Sequence, residues 1–188
     1  SKAIHLENAF LPKMIVRNGN RILDNILAIT CGVALISLMA QITIHLPFTP
    51  VPITGQTFGV ALTSLLWGRK RGLATMISYL SLGGLGLPIF ALGSSGLSVG
   101  PTSGYLIGMV FASYLMGTLS DLGWTQSFFK SWLATFLGSV VIFSFGLLAL
   151  SYFVPTSGLF IAGLWPFLPG DAIKTLLASS IAYKVSMR

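Results

Sequence analysis

The sequence predicts an all-α integral membrane protein, a bundle of six transmembrane helices with both termini in the cytoplasm. Three observations carry this expectation. Apolar residues fill 54% of the 188 positions, charged residues only 8%, and the mean hydropathy is +0.85, a balance that a soluble core of this size does not require. The apolar runs are long and lack the two-residue alternation of strands, so helices rather than a closed barrel would satisfy the backbone in lipid. Finally, the basic residues are distributed so that one topology gathers nearly all of them on one side.

Six apolar segments lie near the roughly 20 residues that a helix needs to cross the hydrocarbon core: 22–46, 56–68, 73–87, 103–120, 128–154 and 169–185. The first follows a polar stretch, 1–20, which reads as a cytoplasmic tail of a single membrane domain spanning 1–188. Its apolar run is longer than the core of a cleavable signal, and further spans follow, so it reads as an uncleaved helix. It carries Cys31, the only cysteine, taken as a small packing residue, and a mostly small stripe, Ala28, Gly32, Ile36 and Ala40. Such a stripe permits close helix contact within the bundle or with a partner. The second and third segments are short and separated by Arg69-Lys70-Arg71. They read as a tight helical hairpin with its turn at the lipid headgroups, because one long span with three buried charges would be far costlier. Trp67, Trp124, Trp132 and Trp165 fall near segment ends, as interfacial anchors do. Asp24 suits a first helical turn, and Asp121 a loop at the inner face.

With six spans, Lys2, Lys13, Arg17, Arg21, Arg69, Lys70, Arg71, Lys130, Lys184 and Arg188 all face the cytoplasm. The formal charge of +7 is then a topology signal and offers no argument for nucleic acid as a partner; membrane lipid is the expected surrounding. The outer connections, 45–55, 88–102 and 155–168, contain no Lys, Arg, Asp or Glu. The first carries Pro47, Pro50 and Pro52, which favour a stiff extended segment able to cover a pocket. The second is dense in Gly and Ser, so its backbone can approach a ligand closely while hydroxyls and amides offer hydrogen bonds. A flexible linker is the alternative, which Phe90 and the interspersed aliphatic residues argue against.

Lys174 is the eleventh basic residue and belongs at the outer end of the sixth span, three residues after Asp171. Pro169-Gly170-Asp171 marks a helix start, which brings Asp171 and Lys174 onto one face of the first turn. Either they form a local ion pair with the Lys stem reaching the interface, or Asp171 orients the ammonium to accept a carboxylate, aided by free N–H groups at the helix start. Enzyme signals are weak. The sequence has no Walker A, HExxH or GxSxG pattern, and Gly93-Ser-Ser-Gly has no base nearby, the histidines being His5 and His45. No metal cluster is expected either, and ATP hydrolysis would have to come from another chain.

Six stretches in order carry a family resemblance: Ala40-Gln-Ile-Thr-Ile, Pro50-Val-Pro-Ile-Thr-Gly-Gln-Thr57, Tyr79-Leu-Ser-Leu-Gly-Gly-Leu-Gly-Leu-Pro-Ile-Phe-Ala91, Gly93-Ser-Ser-Gly, Gly100-Pro-Thr-Ser-Gly-Tyr-Leu-Ile-Gly and Pro169-Gly-Asp-Ala-Ile-Lys174. From about Ala28 onward the chain resembles the BioY proteins, the biotin-specific substrate-binding subunits of energy-coupling factor (ECF) transporters. The resemblance implies a six-helix bundle that binds biotin at its outward face, uses no cofactor, and works with a transmembrane coupling subunit and two ATPase subunits. It points to Asp171 and Lys174 as the carboxylate end of the pocket. The first outer loop (Pro52, Thr54, Gln56) and the Gly/Ser-rich connection with Phe90 and Tyr105 would enclose the fused rings. Some family members offer an Asn or Arg within the region 79–105. This sequence has neither, leaving Tyr79, Ser81, Ser94, Ser95, Ser98, Thr102, Ser103 and backbone groups for the ureido ring. Ala28 and Gly32 become the candidate docking positions for the coupling subunit. Biotin suits these groups, with one carboxylate for one Lys and an apolar chain and ring for Pro, Leu and Phe surfaces. A membrane transporter subunit for another small carboxylate is the alternative reading, and an intramembrane enzyme the remaining one.

Overall fold

The computed structural model of the protein describes Ala9 and residues 21–188; the rest of the expected cytoplasmic tail lies outside the described residues. The chain is mostly helical. Helix α1 (Arg21–Ala40) leads into a two-stranded antiparallel ribbon, β1 (Thr43–Ile44) with β2 (Ile53–Thr54), and then α2 (Gln56–Gly84), α3 (Ser103–Asp121), α4 (Phe128–Leu150), the short α5 (Leu159–Gly163) and α6 (Leu168–Ser186) follow. The all-α expectation missed the ribbon. It forms because Pro47, Pro50 and Pro52 keep the first connection extended, and Thr43 pairs with Thr54 and Ile44 with Ile53 across the turn. It also ends α1 six residues short of the expected 46. Three helices, α1, α3 and α4, are long and apolar enough to cross a membrane by length and composition.

Helix α2 is two antiparallel arms folded at Gly68, as the hairpin expectation required. The Gln56 amide donates to the Tyr79 hydroxyl at 2.6 Å, although 23 positions separate them, which a continuous helix could not allow. A Cβ at Gly72 would lie 3.2 Å from the Ser64 Cα, so the arms meet backbone to backbone just past the fold. The turn sits one residue before the basic triplet because Gly68 adopts φ +79°, ψ −178°, a region open essentially to glycine alone. Asp121, expected in a loop, is instead the buried last residue of α3 and accepts the Arg69 N–H freed by this turn at 3.1 Å.

Small residues set the packing. Helix α2 packs against α1 on one side and α3 on the other, α4 packs on α3, and α6 packs against both α2 and α4, closing the bundle. A Cβ at Gly108 would lie 2.9 Å from the Ile142 Cα, and one at Gly117 would lie 2.7 Å from the Arg69 Cα, so these crossings depend on the missing side chain. The core between them holds Val60, Leu65, Met76, Ala112 and Met116.

The stripe on α1 packs inward, the first of the two roles its small residues allowed. Ala28 and Gly32 are buried: the Ala28 carbonyl accepts from Trp67 Nε1 at 2.6 Å, and a Cβ on Gly32 would lie 2.6 Å from the Thr75 Cγ2. Trp67, half-buried beside the Gly68 turn, thus staples the α2 fold to α1. Cys31 lies on the opposite, exposed face with Ile26 and Leu27, and is not a packing residue of the bundle.

Charge is segregated along the bundle axis. Arg71 Nε donates to Asn25 Oδ1 at 2.7 Å, joining the α2 fold to the start of α1, while Phe128 meets Tyr183 edge to face at 6.1 Å, joining the start of α4 to the end of α6. Arg21, Arg69, Lys70, Arg71, Lys130 and Lys184 thus share one end with Asp121. Lys174 belongs to the other, with the ribbon. Gly68→Ala should destabilise the fold by about 1–3 kcal/mol, since the new Cβ meets the Asp121 carboxylate in a glycine-only conformation. The check is the thermal unfolding midpoint of the purified protein in detergent, which should fall; an unchanged midpoint would contradict the role of this turn.

Candidate functional site

At the ribbon end, a cavity of about 790 Å³ opens between the ribbon, α2, α3, α4, the start of α6 and the connection 85–102. Its size lies in the usual range of small-molecule sites. Its floor is polar. Gly55 turns the chain from β2 into α2, so the Thr54 carbonyl and the Thr57 hydroxyl come to face the same point. Lys174, half-buried on the first turns of α6, donates to both, at 3.0 Å and 2.8 Å. Asp171, one turn earlier, accepts from Ser139 of α4 at 2.9 Å. The expected direct grip of Asp171 on the ammonium is not formed, because Thr54, Thr57 and Ser139 take up the groups first, and no ion pair of 4.0 Å or less joins Asp171 to Lys174.

The walls are aromatic. Tyr105, Phe143 and Phe167 stand with their ring centroids 6.4 Å apart in each pairing, and the Tyr105 hydroxyl donates to the Gly163 carbonyl at 2.7 Å. That bond ties α3 to α5, and Thr49 of the first connection donates to Ala162 of the same helix at 2.6 Å. Phe90 forms the facing wall and is buried against Gly83, whose missing side chain leaves room for the ring. Tyr79 meets Phe90 edge to face at 5.3 Å, and its hydroxyl both accepts from Gln56 and donates to the Ile89 carbonyl at 3.2 Å. Gln41 donates to the Phe90 carbonyl at 3.1 Å, so side-chain and backbone contacts together fix this ring.

The rim is the Gly/Ser-rich connection. Leu92 holds a positive φ of 54° beside Gly93 at 69° and Gly96 at 86°, so the chain reverses here and presents Ser94, Ser95 and Ser98 to the cavity. Pro52, Thr54, Gln56, Phe90, Thr102, Ser103, Tyr105, Asp171 and Lys174 complete the predicted residues that line it. Tyr79 and Ser81 do not line it. Tyr79 is fully buried behind Phe90, and Ser81, two residues on along a helix, is turned to the exposed face of α2.

Sequence reasoning passed over Thr57, Ser139, Phe143 and Phe167 as site residues. Thr57 closes one of the resemblance stretches and could have been taken with it. Ser139 lies within an apolar helix where nothing in the sequence separates it from a packing serine.

A helical bundle with an ammonium and a carboxylate at the floor of an aromatic and hydroxyl-lined cavity has the form of a membrane binding protein for a small molecule. The BioY family model matches residues 12–188, and the chain belongs to that family. It is 32% identical to the biotin transporter BioY of Rhizobium etli over 177 residues, covering 86% of this chain and 92% of the relative. It is 37% identical to the probable biotin transporter BioY of Pyrococcus horikoshii over 155 residues, covering 81% and 90%. Among solved structures it is similar to the S-component for biotin from an ECF-type ABC transporter, with a TM-score of 0.83 at 28% identity over 91% of this chain and 95% of that one.

Tyr79→Phe would leave the Gln56 amide and the Ile89 carbonyl without their shared partner, a loss of about 1–3 kcal/mol. The expected readout is a lower thermal midpoint in detergent. A midpoint equal to that of the unsubstituted protein would mean that Tyr79 does not support the Phe90 wall.

Proposed function

We propose that this chain is the biotin-binding subunit of a vitamin uptake transporter, capturing biotin at the outer face of the prokaryotic cytoplasmic membrane for delivery inward by ECF energising subunits. The observation that carries the reading is the Lys174 ammonium at the cavity floor, held by Thr54 and Thr57 at the end of the bundle away from the other described basic residues. Biotin answers this chemistry. Its carboxylate takes the remaining ammonium donor, its thiophane ring and valeryl chain meet Phe90, Tyr105, Phe143 and Phe167, and its ureido group is left for Ser94, Ser95, Ser98, Thr102, Ser103 and the backbone around them.

The six crossings are α1, the two arms of α2, α3, α4 and α6, with both termini in the cytoplasm. Support comes from the basic residues at the Gly68 end, since positive charge marks the inner face. The chain has no nucleotide-binding motif, so the coupling subunit and two ATPase subunits supply the energy. Its family is one of transporter components; it is not an enzyme, and biotin is cargo rather than cofactor.

The test is equilibrium binding of radiolabelled biotin to the purified protein in detergent, beside Lys174→Ala and with biotin amide as competitor. Wild type should bind tightly, the amide should compete poorly, and Lys174→Ala should cost about 2–5 kcal/mol of affinity. Ser98→Ala should cost no more than about 1.5 kcal/mol. Equal losses from the two substitutions would count against the carboxylate assignment. No binding by folded wild type would shift the reading to another small carboxylate.

A further inference from the structure

The floor of the cavity holds an acid and a base three residues apart that do not touch. Neighbouring side chains at this spacing on a helix are within reach of one another, and a desolvated carboxylate beside an ammonium closes on it unless other partners intervene. Here they do. Ser139 Oγ donates to Asp171 Oδ1 at 2.9 Å, and the Lys174 ammonium spends two of its three donors on neutral oxygens, the Thr54 carbonyl and the Thr57 hydroxyl. A chamber of about 10 Å³, room for about one water, lies beneath and is lined by Thr57, Thr135, Ser139, Asp171, Lys174 and Thr175. The ammonium on its wall makes it a poor cation site.

We infer that Ser139 and Thr57 are positioning residues that hold the Asp171–Lys174 pair open, so that one ammonium donor is left unoccupied by Asp171 and available to an incoming carboxylate. In a closed pair the third ammonium donor would be taken by Asp171, whose negative charge would screen the cation from a ligand. An arriving carboxylate would then have to displace Asp171 before binding, and the preference for a charged ligand over its neutral amide would shrink. Ser139 acts through Asp171 and Thr57 through Lys174. The inference rests on the proposed role of Lys174 as the carboxylate-binding group, and biotin is its probe.

Two measurements on Ser139→Ala test it. In a high-resolution structure of the ligand-free variant, Asp171 should have turned into hydrogen-bonding contact with Lys174 Nζ; a carboxylate that stays where it is overturns the inference whatever the protein binds. In solution, the ratio of biotin to biotin-amide affinity should fall about tenfold. The same substitution made on top of Asp171→Asn, which removes the competing charge, should change that ratio by much less. A general weakening of the fold would lower both affinities together and leave the ratio alone, and that outcome would also overturn the proposal. If wild type binds no biotin while Asp171 closes onto Lys174 in the variant structure, the biotin reading fails and the open pair stands.

Discussion

The structure of the site depends on where the Lys174 ammonium finds its oxygens. A cation half-buried in a membrane bundle is costly unless it is hydrogen-bonded, and here the bonds come from the opposite side of the cavity, from Thr54 and Thr57. Those two bonds tie the first turns of α6 to the junction of β2 and α2. They also explain why the first connection is a ribbon rather than a loose loop. The extended prolyl segment ends at the position where a free carbonyl is needed, and Gly55, whose Cβ would lie 2.6 Å from the Met39 carbonyl, lets the chain turn there.

Around this point the cavity is divided by chemistry. The charged pair Asp171 and Lys174 lies at the floor, aromatic rings form the walls and hydroxyls line the rim, so a bound molecule is oriented as well as held. The walls are rigid for reasons that can be named. Gly83 and Gly146 leave room for the Phe90 and Tyr105 rings, and the phenols of Tyr79 and Tyr105 are anchored to the Ile89 and Gly163 carbonyls. The rim has fewer such ties, and Ser94, Ser95 and Ser98 are exposed. A rigid body with a less constrained mouth suits capture of a ligand from one side.

Much of this was legible in the sequence, for physical reasons that also mark where legibility stopped. Charge placement and apolar run length located the helices, because lipid penalises buried charge and unsatisfied backbone heavily. Asp171 and Lys174 stood out because they break that rule. What tertiary contact alone decides could not be read. The sequence offered two roles for the stripe at Ala28 and Gly32, and only packing against Trp67 and Thr75 assigns it to the interior. Ser81 has the same residue type as the loop hydroxyls, and only helix phase turns it outward. Ser139 was invisible because its partner is 32 residues away.

Affinity alone does not report the proposed orientation, in which the ligand enters carboxylate first with its rings against the aromatic walls. A crystal structure of the protein with biotin bound tests this most directly. The carboxylate should accept a hydrogen bond from Lys174 Nζ, with the fused rings between Phe90 and Tyr105 and the ureido group toward the Ser-rich rim. Biotin bound the other way round, its ureido group on Lys174 and its carboxylate at the mouth, would contradict the account.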